Sequence, residues 1–363
     1  MSENHWQKDL EEYIRLGEPD EKEKSSAWRT AIGLQAVDGL KTSEYLLNTA
    51  KEHIEGKISI NDADKRMVSY YEERSDRFAI EENTKEADIV SVRIAKLLGE
   101  KSFQFSPVEW QNIHKRLFID VFPHAGKFRT YNISKKEWIL NGDTVVYASY
   151  DSIRDTLEYD FNREKQFSYQ GLSINDSIKH IAQFTSGIWQ IHPFAEGNTR
   201  STAVFVIKYL KTFGFSISNE TFAAHSWYFR NALVRSNYNN WEKGIHETSE
   251  FLELFFENLL LDKNNDLKNR YMHIDYTDSY KIQSANQDSP KCKNCTLEEL
   301  AVLKEIKNNP SITQKELAAR IGKSERTVKT KTIDLQEKGF LRRINGKRSG
   351  HWEICGTDLC EEN

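Results

Sequence analysis

The sequence predicts a mainly helical protein with more than one domain. The chain has 363 residues, which is enough for two or three hydrophobic cores. Its apolar residues recur mostly at helical spacing, and its 17 glycines and 6 prolines are too few for a fibrous or disordered chain. Residues 128–149 differ, because Asn141-Gly142 separates two β-prone runs there. We therefore expect a helical protein that contains one β-hairpin.

Residues 1–66 are expected to form a helical N-terminal segment. A first helix is predicted from Trp28 to Gly39, since glycine commonly ends a helix. Thr42 is expected to cap a second helix, which ends before Gly56. The buried face of this second helix is predicted to consist of Leu46, Ala50 and Ile54.

Residues 67–263 are predicted to form a helical core domain around one polar loop. The loop is Ile191–Arg200, with the sequence IHPFAEGNTR, and it lies between two apolar helical segments. The backbone N–H groups of Gly197, Asn198 and Thr199 would then lie at the positive end of the second helix. A phosphate binds favourably at such a position.

The side chains of this loop favour chemistry at a phosphate. Glu196 is suited to hold a Mg²⁺ ion that also binds nucleotide phosphates, and Arg200 is suited to bind phosphate oxygens. His192 is suited to act as a base at neutral pH. Each residue taken singly is more typical of a turn, a surface charge or a helix start. Their joint spacing indicates phosphoryl or nucleotidyl transfer.

The C-terminal part has a different composition. Residues 264–292 lack apolar periodicity and are expected to be a linker, and residues 293–363 are expected to form a second domain. Three short amphipathic helices and a hairpin at Asn345-Gly346 predict a winged helix-turn-helix. Residues 296–355 hold 13 Lys and Arg against 8 Asp and Glu, a net charge of +5, although the whole chain has a net charge of −4. This basic character favours DNA binding.

The candidate DNA contacts lie on the third helix and on the wing of this domain. They are Lys323, Arg326, Lys329 and Lys331 on the helix, and Arg342, Arg343, Lys347 and Arg348 on the wing. Winged helices also bind proteins or form dimers, so protein docking and a homodimer are alternatives to DNA binding.

The four cysteines form two close pairs, Cys292 with Cys295 and Cys355 with Cys360. They either hold a zinc ion or are reduced thiols. The N-terminus has acidic residues where a signal peptide is basic, and no apolar run approaches the ~18 residues of a membrane span. We therefore expect a cytoplasmic protein without a membrane partner.

The loop sequence HPFAEGNTR resembles the signature of the Fic family, His-Pro-Phe-x-Glu/Asp-Gly-Asn-Gly-Arg-x-x-Arg. Leu117–Arg129 and Phe229–Tyr238 resemble two further segments of that family. The resemblance implies a helical core that carries a β-hairpin flap, Lys135–Tyr147. The flap is expected to bind a target protein as an added strand.

The resemblance also implies a protein adenylyltransferase. Such enzymes typically use ATP and Mg²⁺ to transfer AMP to a Ser, Thr or Tyr hydroxyl of a target protein, and they release pyrophosphate. By position, His192 would be the general base, Glu196 the Mg²⁺ ligand and Arg200 a phosphate ligand. The backbone anion hole would consist of Gly197, Asn198 and Thr199. Phe194 would anchor the loop, and the adenosine would contact Asn237 and Phe229.

Two positions depart from the family signature. Thr199 stands where the second glycine is expected, and its Cβ would narrow the anion hole. Ala203 stands where the second arginine is expected, which in the family contacts the terminal phosphate and pairs with an inhibitory glutamate. A different donor is therefore an alternative, because some relatives transfer UMP or phosphocholine or phosphorylate their target. A DNA-binding regulator with an altered or inactive core is another.

The N-terminal segment resembles the antitoxin module that accompanies some Fic enzymes. The family's inhibitory pattern is Ser/Thr-x-x-x-Glu-Gly, and the corresponding residues here are Leu34 and Asp38-Gly39. Ala203 cannot pair with a carboxylate. An inhibitory carboxylate contact formed by Asp38, here called the brake, would therefore have to use Arg200. We expect inhibition to be weakened or rebuilt. The alternative is a helical hairpin with Asp38 as an ordinary surface residue.

Overall fold

The computed structural model describes residues 2–73, 82–215, 220–276, 295–345 and 350–355. These residues are mainly helical, as predicted. The α-helices of the N-terminal and central parts are α1 (Ser2–Leu16), α2 (Pro19–Gly33), α3 (Glu44–Ile54), α4 (Ile60–Glu72), α5 (Glu82–Gly99), α6 (Pro107–Phe118), α7 (Ile153–Gln166), α8 (Ile174–Ile191), α9 (Asn198–Thr212), α10 (Glu220–Arg235) and α11 (Glu250–Leu261). The C-terminal elements are α12 (Leu297–Asn308), α13 (Gln314–Ile321), α14 (Glu325–Glu337), β1 (Leu341–Ile344) and β2 (His351–Ile354).

The first predicted helix differs from the observed one at both ends. α2 begins at Pro19 instead of Trp28, because proline is well suited to the first helical position. After Gly33 the chain forms a 3-10 helix, Leu34–Asp38, which is called the 3-10 helix below. It ends at Gly39, as expected. The backbone at Gly33 lies so close to Ala223 of α10 that a Cβ at this position would be 2.5 Å away. This close approach brings the 3-10 helix against α10.

The cap of α3 is Ser43, so the prediction that Thr42 caps this helix is wrong. The Ser43 hydroxyl accepts a hydrogen bond from the N–H of Leu46 at 3.1 Å. The same hydroxyl donates to the carboxylate of Asp88 on α5, which fixes Ser43 in the capping position. The predicted inner face of α3 is confirmed, since its three residues are buried: Leu46, Ala50 and Ile54.

The central helices lie in the largest hydrophobic core. All side chains from Asn198 to Leu210 on α9 are buried, and α5, α6 and α8 pack around this helix. The same core continues through α1 to α4 and through α10 and α11. The N-terminal segment therefore shares a core with the central helices, and its 3-10 helix contacts both α9 and α10.

The predicted hairpin is a chain reversal without a β-ladder among residues 128–149. Asn141 and Gly142 both have positive φ angles, 59° and 84°, and form the turn. The Glu137 N–H donates to the Asp143 carbonyl at 2.9 Å, which closes the reversal. Its arms are held by the buried guanidinium of Arg129, which donates to the carbonyls of Tyr131, Ala148, Ile191 and His192. The Arg129 side chain therefore donates to backbone carbonyls of the two arms that would accept from N–H groups in a β-ladder.

The predicted winged helix is present in the C-terminal part. α12, α13 and α14 surround a second core that includes Leu303, Val328 and Trp352. β1 and β2 pair antiparallel with Leu341 opposite Ile354. The turn predicted at Asn345-Gly346 lies partly outside the described residues, which stop at Asn345 and resume at residue 350.

The first part of the predicted linker is packed on the core. Leu267 and Met272 are buried, and Asn269–Met272 forms a 3-10 helix. The Ile274 N–H donates to the Ile139 carbonyl of the flap at 2.9 Å. Residues 277–292 of this linker lie outside the described ranges.

Candidate active site

The polar loop connects α8 to α9 through two residues with left-handed backbone. His192 follows the last turn of α8 with a φ of 49°, and Gly197 precedes α9 with a φ of 76°. A Cβ at Gly197 would lie 2.4 Å from the ring of Phe118, so both the backbone angle and the close approach require glycine. Gly197 precedes α9 without a side-chain cap, so no side chain of the capping residue occupies the N–H groups of the first turn.

The shape of the loop depends on Asn198, Phe194 and His114. The Asn198 side chain accepts from the Phe194 N–H at 3.0 Å and donates to the Phe194 carbonyl at 2.7 Å. The fully buried Phe194 ring stacks on the His114 ring at 3.7 Å, as expected for an anchor. His114 Nδ1 accepts from the Gly126 N–H, so Nε2 carries the proton and donates to the Glu196 carbonyl at 2.9 Å. Burial lowers the pKa of His114 to about 3, which keeps the ring neutral.

Sequence reasoning did not identify His114. A signal was present, because this histidine lies among the apolar residues Trp110, Ile113 and Leu117 of α6. A polar residue on a buried helix face requires hydrogen-bond partners, and the loop backbone provides them.

His192 is buried and electrically neutral. It is 3% exposed, its ring lies 4.4 Å from the Tyr147 ring, and neither ring nitrogen has a hydrogen-bond partner among the described residues. Burial lowers its pKa well below the usual value, and the charge of Lys135 lowers it further. The ring is therefore neutral at neutral pH and has a nitrogen lone pair that no described residue occupies.

Glu196 lies at the exposed side of the loop. Its side chain is 57% exposed, and Oε2 lies 3.3 Å from Nζ of Lys135 on the flap. An exposed carboxylate fits a Mg²⁺ ion that arrives with a nucleotide, since such an ion uses one or two carboxylates and retains several waters.

Thr199 and Ala203 are both buried in the core. The Thr199 hydroxyl accepts a hydrogen bond from the indole N–H of Trp189 at 3.0 Å, so this side chain is held against α8. Ala203 is completely buried one turn further along α9. Position 203 therefore contributes no charge to the site.

Arg200 is surrounded by acceptors from other elements. Its Nε lies 2.7 Å from a carboxylate oxygen of Asp38, its Nη1 donates to Gln35 at 3.0 Å, and its Nη2 donates to Glu86 at 2.5 Å. The Nε–H does not point at the Asp38 oxygen, so that contact is an ion pair without an aligned hydrogen bond. The guanidinium also lies 4.9 Å from the centre of the Phe118 ring.

Asp38 is therefore not an ordinary surface residue. It contacts Arg200, the partner that the sequence left for it once position 203 is alanine. The contact from Glu86 on α5 was not predicted, and no spacing in the sequence indicates it.

A cavity of about 630 Å³ lies between the 3-10 helix and the loop. It contains the carboxylates of Asp38, Glu86 and Glu196 and the guanidinium groups of Arg200 and Arg230. Its remaining lining residues are Ala36, Val37, Gly39, Leu40, Phe122 and Trp227. Asp38 and Glu86 add two carboxylates beside Arg200, which opposes the binding of an anion at this guanidinium while the 3-10 helix is in place.

Arg230 was also missed by sequence reasoning, although it belongs to the segment Phe229–Tyr238. Its two Nη atoms donate to Glu137 of the flap at 2.7 and 3.0 Å, and its guanidinium lies 5.1 Å from the Trp227 ring. Glu137 is 1% exposed, so this ion pair fixes the flap to α10.

Two predicted nucleotide contacts do not lie with the loop residues around the cavity. The Asn237 amide donates to the Ser186 hydroxyl at 2.8 Å and to the Leu233 carbonyl at 2.9 Å. Phe229 is completely buried against Phe222 and Phe255. In this structure Asn237 is hydrogen-bonded to α8, and Phe229 of α10 packs against Phe255 of α11.

The predicted DNA contacts have different surroundings. Arg326 and Lys329 are exposed on α14. Lys323 and Lys331 lie 2.8 and 3.7 Å from the carboxylate oxygens of Glu298. Arg342 pairs with Glu353 on the neighbouring strand, and the Arg343 guanidinium lies 4.7 Å from the Trp352 ring. Lys347 and Arg348 lie outside the described residues.

The predicted zinc site lies partly outside the described ranges, because they include Cys295 and Cys355 but neither Cys292 nor Cys360. In the part of the chain that the structure covers, no cluster of three His, Cys, Asp or Glu side chains is arranged to hold a metal ion. None of the helices described is both long and apolar enough to cross a bilayer.

Comparisons with known proteins match two parts of the chain. Residues 104–210 match the Fic/DOC family, and residues 299–342 match the winged helix-turn-helix DNA-binding family. The chain is 26% identical over 181 residues to the protein adenylyltransferase VbhT of Bartonella schoenbuchensis, which is 49% of this chain and 36% of that protein. The chain thus spans about a third of the length of this curated relative.

Among solved structures, the chain is similar to a Fic family protein from Desulfovibrio desulfuricans G20. The TM-score is 0.42 and the sequence identity 13%, over 97% of this chain and 95% of the other.

Proposed function

Because the chain contains a Fic/DOC domain and a winged helix, we propose that it is a Fic-type transferase that moves AMP from ATP to a hydroxyl group of a target protein. The observation that supports this proposal best is the state of His192. A buried neutral imidazole, whose nitrogens have no hydrogen-bond partner in the part of the chain that the structure describes, lies in the same loop as a helix N-terminus preceded by glycine. A base and an anion site are thereby available to one reacting phosphate.

In the proposed reaction, the hydroxyl oxygen of the target attacks the α-phosphorus of ATP. A new P–O bond forms, the bond from this phosphorus to the bridging oxygen breaks, and pyrophosphate leaves. His192 accepts the proton of the attacking hydroxyl. The N–H groups at the start of α9 stabilise the charge on the phosphate oxygens.

Glu196 would hold the Mg²⁺ ion, and its exposed carboxylate fits that role. When bound, Mg²⁺ neutralises phosphate charge and helps to orient the nucleotide. Arg200 would bind phosphate oxygens once Asp38 and Glu86 release it. The exposed face of the flap, with Trp138 and Val146, would bind the target protein.

We also propose that the 3-10 helix is a rebuilt brake. Its Asp38 occupies Arg200 and adds negative charge to the cavity, and Glu86 has the same effect from α5. Both contacts oppose phosphate binding at Arg200. A brake of this kind does not need an arginine at position 203.

Intact-mass measurements test the transferase proposal. The purified chain and its His192→Ala variant are incubated with ATP and Mg²⁺, with Asp38→Ala in both so that one of the two carboxylates at Arg200 is removed. We expect the mass of AMP to be added only where His192 is present. Equal addition to both chains would exclude His192 as the base. If the chain with His192 gains no mass and transfers no label from ATP in a cell extract, the AMP donor is wrong, and UTP and CDP-choline are then tested.

A second function is supported by the winged helix, in which Arg326 and Lys329 are exposed on α14. In this alternative the protein is a DNA-binding regulator, and its Fic domain has an altered or inactive site at Thr199 and Ala203. Salt-sensitive binding to the DNA upstream of its own gene without any nucleotide transfer would favour it.

A further inference from the structure

Lys135 lies between the two sides of the candidate site. It belongs to the flap, and its Nζ is 3.3 Å from Oε2 of Glu196. Its backbone N–H donates to the Thr144 hydroxyl on the opposite arm at 3.1 Å. Two residues later, Glu137 forms its two-pronged ion pair with Arg230. These contacts of the flap fix the backbone of Lys135. The Lys135 side chain itself is 29% exposed.

The Lys135 ammonium also acts on His192. After burial, its charge is the largest influence that lowers the pKa of this histidine. An ammonium that contacts Glu196 and acts on the imidazole lies where the reacting phosphate must bind, if His192 is the base and Glu196 holds the metal ion.

Among the described residues of the site, the other positively charged side chains are already engaged. Position 203 is a buried alanine, Arg200 is engaged by three acceptors, and Arg230 is paired with the buried Glu137. The partner described for Lys135 is Glu196, which is mostly exposed. An exposed ion pair contributes little free energy, so Lys135 can exchange it for another anion at low cost.

We propose that Lys135 is a further catalytic residue, whose ammonium leaves Glu196 and binds a non-bridging oxygen of the phosphate that is transferred. This inference rests on the proposed function, since the ligand is the α-phosphate of ATP. It gives the flap a second role beside target binding, because the flap then also supplies positive charge to the reacting centre.

Lys136 provides a matched control, since it is the next residue on the flap and its side chain is exposed. Lys135→Met, Lys135→Arg and Lys136→Met are each made in the full chain with Asp38→Ala, which removes one of the two carboxylates at Arg200. Their thermal unfolding is compared first, so that misfolded variants are excluded. The backbone hydrogen bond of Lys135 is kept in every variant.

The first measurement is the rate of AMP transfer from ATP. We expect Lys135→Met to lower the rate about tenfold to a hundredfold, since a charge-assisted contact to the reacting phosphate is lost. Lys135→Arg is expected to retain most of the rate, and Lys136→Met is expected to lower the rate much less than Lys135→Met does. Equal rates for Lys135→Met and Lys136→Met would overturn the inference.

The second measurement is ATP binding by calorimetry with the same variants in a His192→Ala chain, which avoids turnover. We expect Lys135→Met to weaken ATP binding about tenfold relative to Lys136→Met. Lys135→Met should also lower the Mg²⁺ concentration needed for half-maximal binding, because Lys135 no longer occupies Glu196. If the chain with His192 transfers no AMP, the proposed function fails, but this comparison still decides whether Lys135 binds phosphate. Equal affinities for the two variants would overturn that role.

Discussion

At the residue scale, the state of His192 results from its position at the end of α8. The left-handed backbone turns the chain inward, and the ring is enclosed by Tyr147 and Trp189. Burial disfavours the charged imidazolium, so the ring remains a base in conditions where an exposed histidine would be partly protonated.

The pH dependence of transfer tests this state. A histidine base works only when unprotonated, and a lowered pKa moves the acidic limb of the rate profile to lower pH. We expect kcat/KM to stay level as the pH falls from about 8 to 6.5, and to decrease only below the usual histidine pKa of 6.5. The measurement is kcat/KM for ATP as a function of pH. An acidic limb centred above 6.5 would show that His192 is not held neutral by burial.

Thr199 also has a role that follows from one contact. Thr199→Val keeps the shape of the side chain but leaves the buried indole N–H of Trp189 without an acceptor. We expect the free energy of unfolding to fall by about 1–3 kcal/mol, as measured by urea denaturation. Thr199→Ser retains the hydroxyl and is the control. An unchanged free energy of unfolding in Thr199→Val would show that this hydrogen bond does not stabilise the fold.

At the element scale, the 3-10 helix brings Asp38 into contact with Arg200. Gly33 allows this helix to lie against α10, and the left-handed Gly39 ends it directly after Asp38. The position of Asp38 is therefore set by two glycines and by packing, not by its own side chain. Aspartate is one methylene shorter than the glutamate of the family pattern. The Asp38 carboxylate nevertheless contacts Arg200, the first arginine of the loop motif.

Removing the Asp38 carboxylate tests the brake. We expect Asp38→Ala to increase ATP affinity about fivefold to tenfold, because one like charge leaves the cavity and one partner leaves Arg200. Calorimetry with Mg²⁺ and ATP measures this change. Glu72→Ala removes an exposed carboxylate at the end of α4 and is the control. If Asp38→Ala raises the ATP affinity no more than Glu72→Ala does, Asp38 is not part of a brake.

Glu86 is the second part of the proposed brake, since it also contacts Arg200. Glu86→Gln is expected to raise ATP affinity further when Asp38→Ala is present, since Arg200 then loses both carboxylates. The two changes should not be additive, because they act on one guanidinium. A double-mutant cycle of the two substitutions gives the coupling. Strictly additive effects would contradict a shared action through Arg200.

At the scale of the whole molecule, the winged helix is in contact with the central core. Leu297, Leu300 and Ala301 of α12 belong to the large core, whereas Val302 and Leu303 belong to the second core. Lys304 also pairs with Asp262 after α11 at 2.8 Å. The start of α12 therefore packs against the central core, while the remainder of the domain has its own core.

DNA binding is tested on the full chain with the duplex upstream of its own gene. We expect Arg326→Ala and Lys329→Ala each to weaken binding and to lower the slope of log K against log salt concentration by about one. Lys307→Ala removes an exposed lysine from α12 and should leave the slope unchanged. If all three variants bind alike, α14 is not the DNA-contacting helix.

The sequence by itself determined the features that depend on neighbouring residues. Apolar spacing predicted the helical class and the inner face of α3, and Asn141-Gly142 predicted the turn of the flap. The polar loop was identified from its own residues, because a helix start, a glycine and charged side chains lie close together in the chain. Such local patterns involve atoms only a few positions apart.

Only the tertiary structure decided which distant residues meet at that loop. Asp38 and Glu86 reach Arg200 from more than 100 positions away, and Lys135 reaches Glu196 from 61 positions away. The sequence patterns also did not predict that α2 begins at Pro19. They predicted a β-hairpin in residues 128–149, where Arg129 instead donates to the Tyr131 and Ala148 carbonyls. The reason is physical: these contacts depend on how separate helices pack in one core, and no local periodicity encodes that packing.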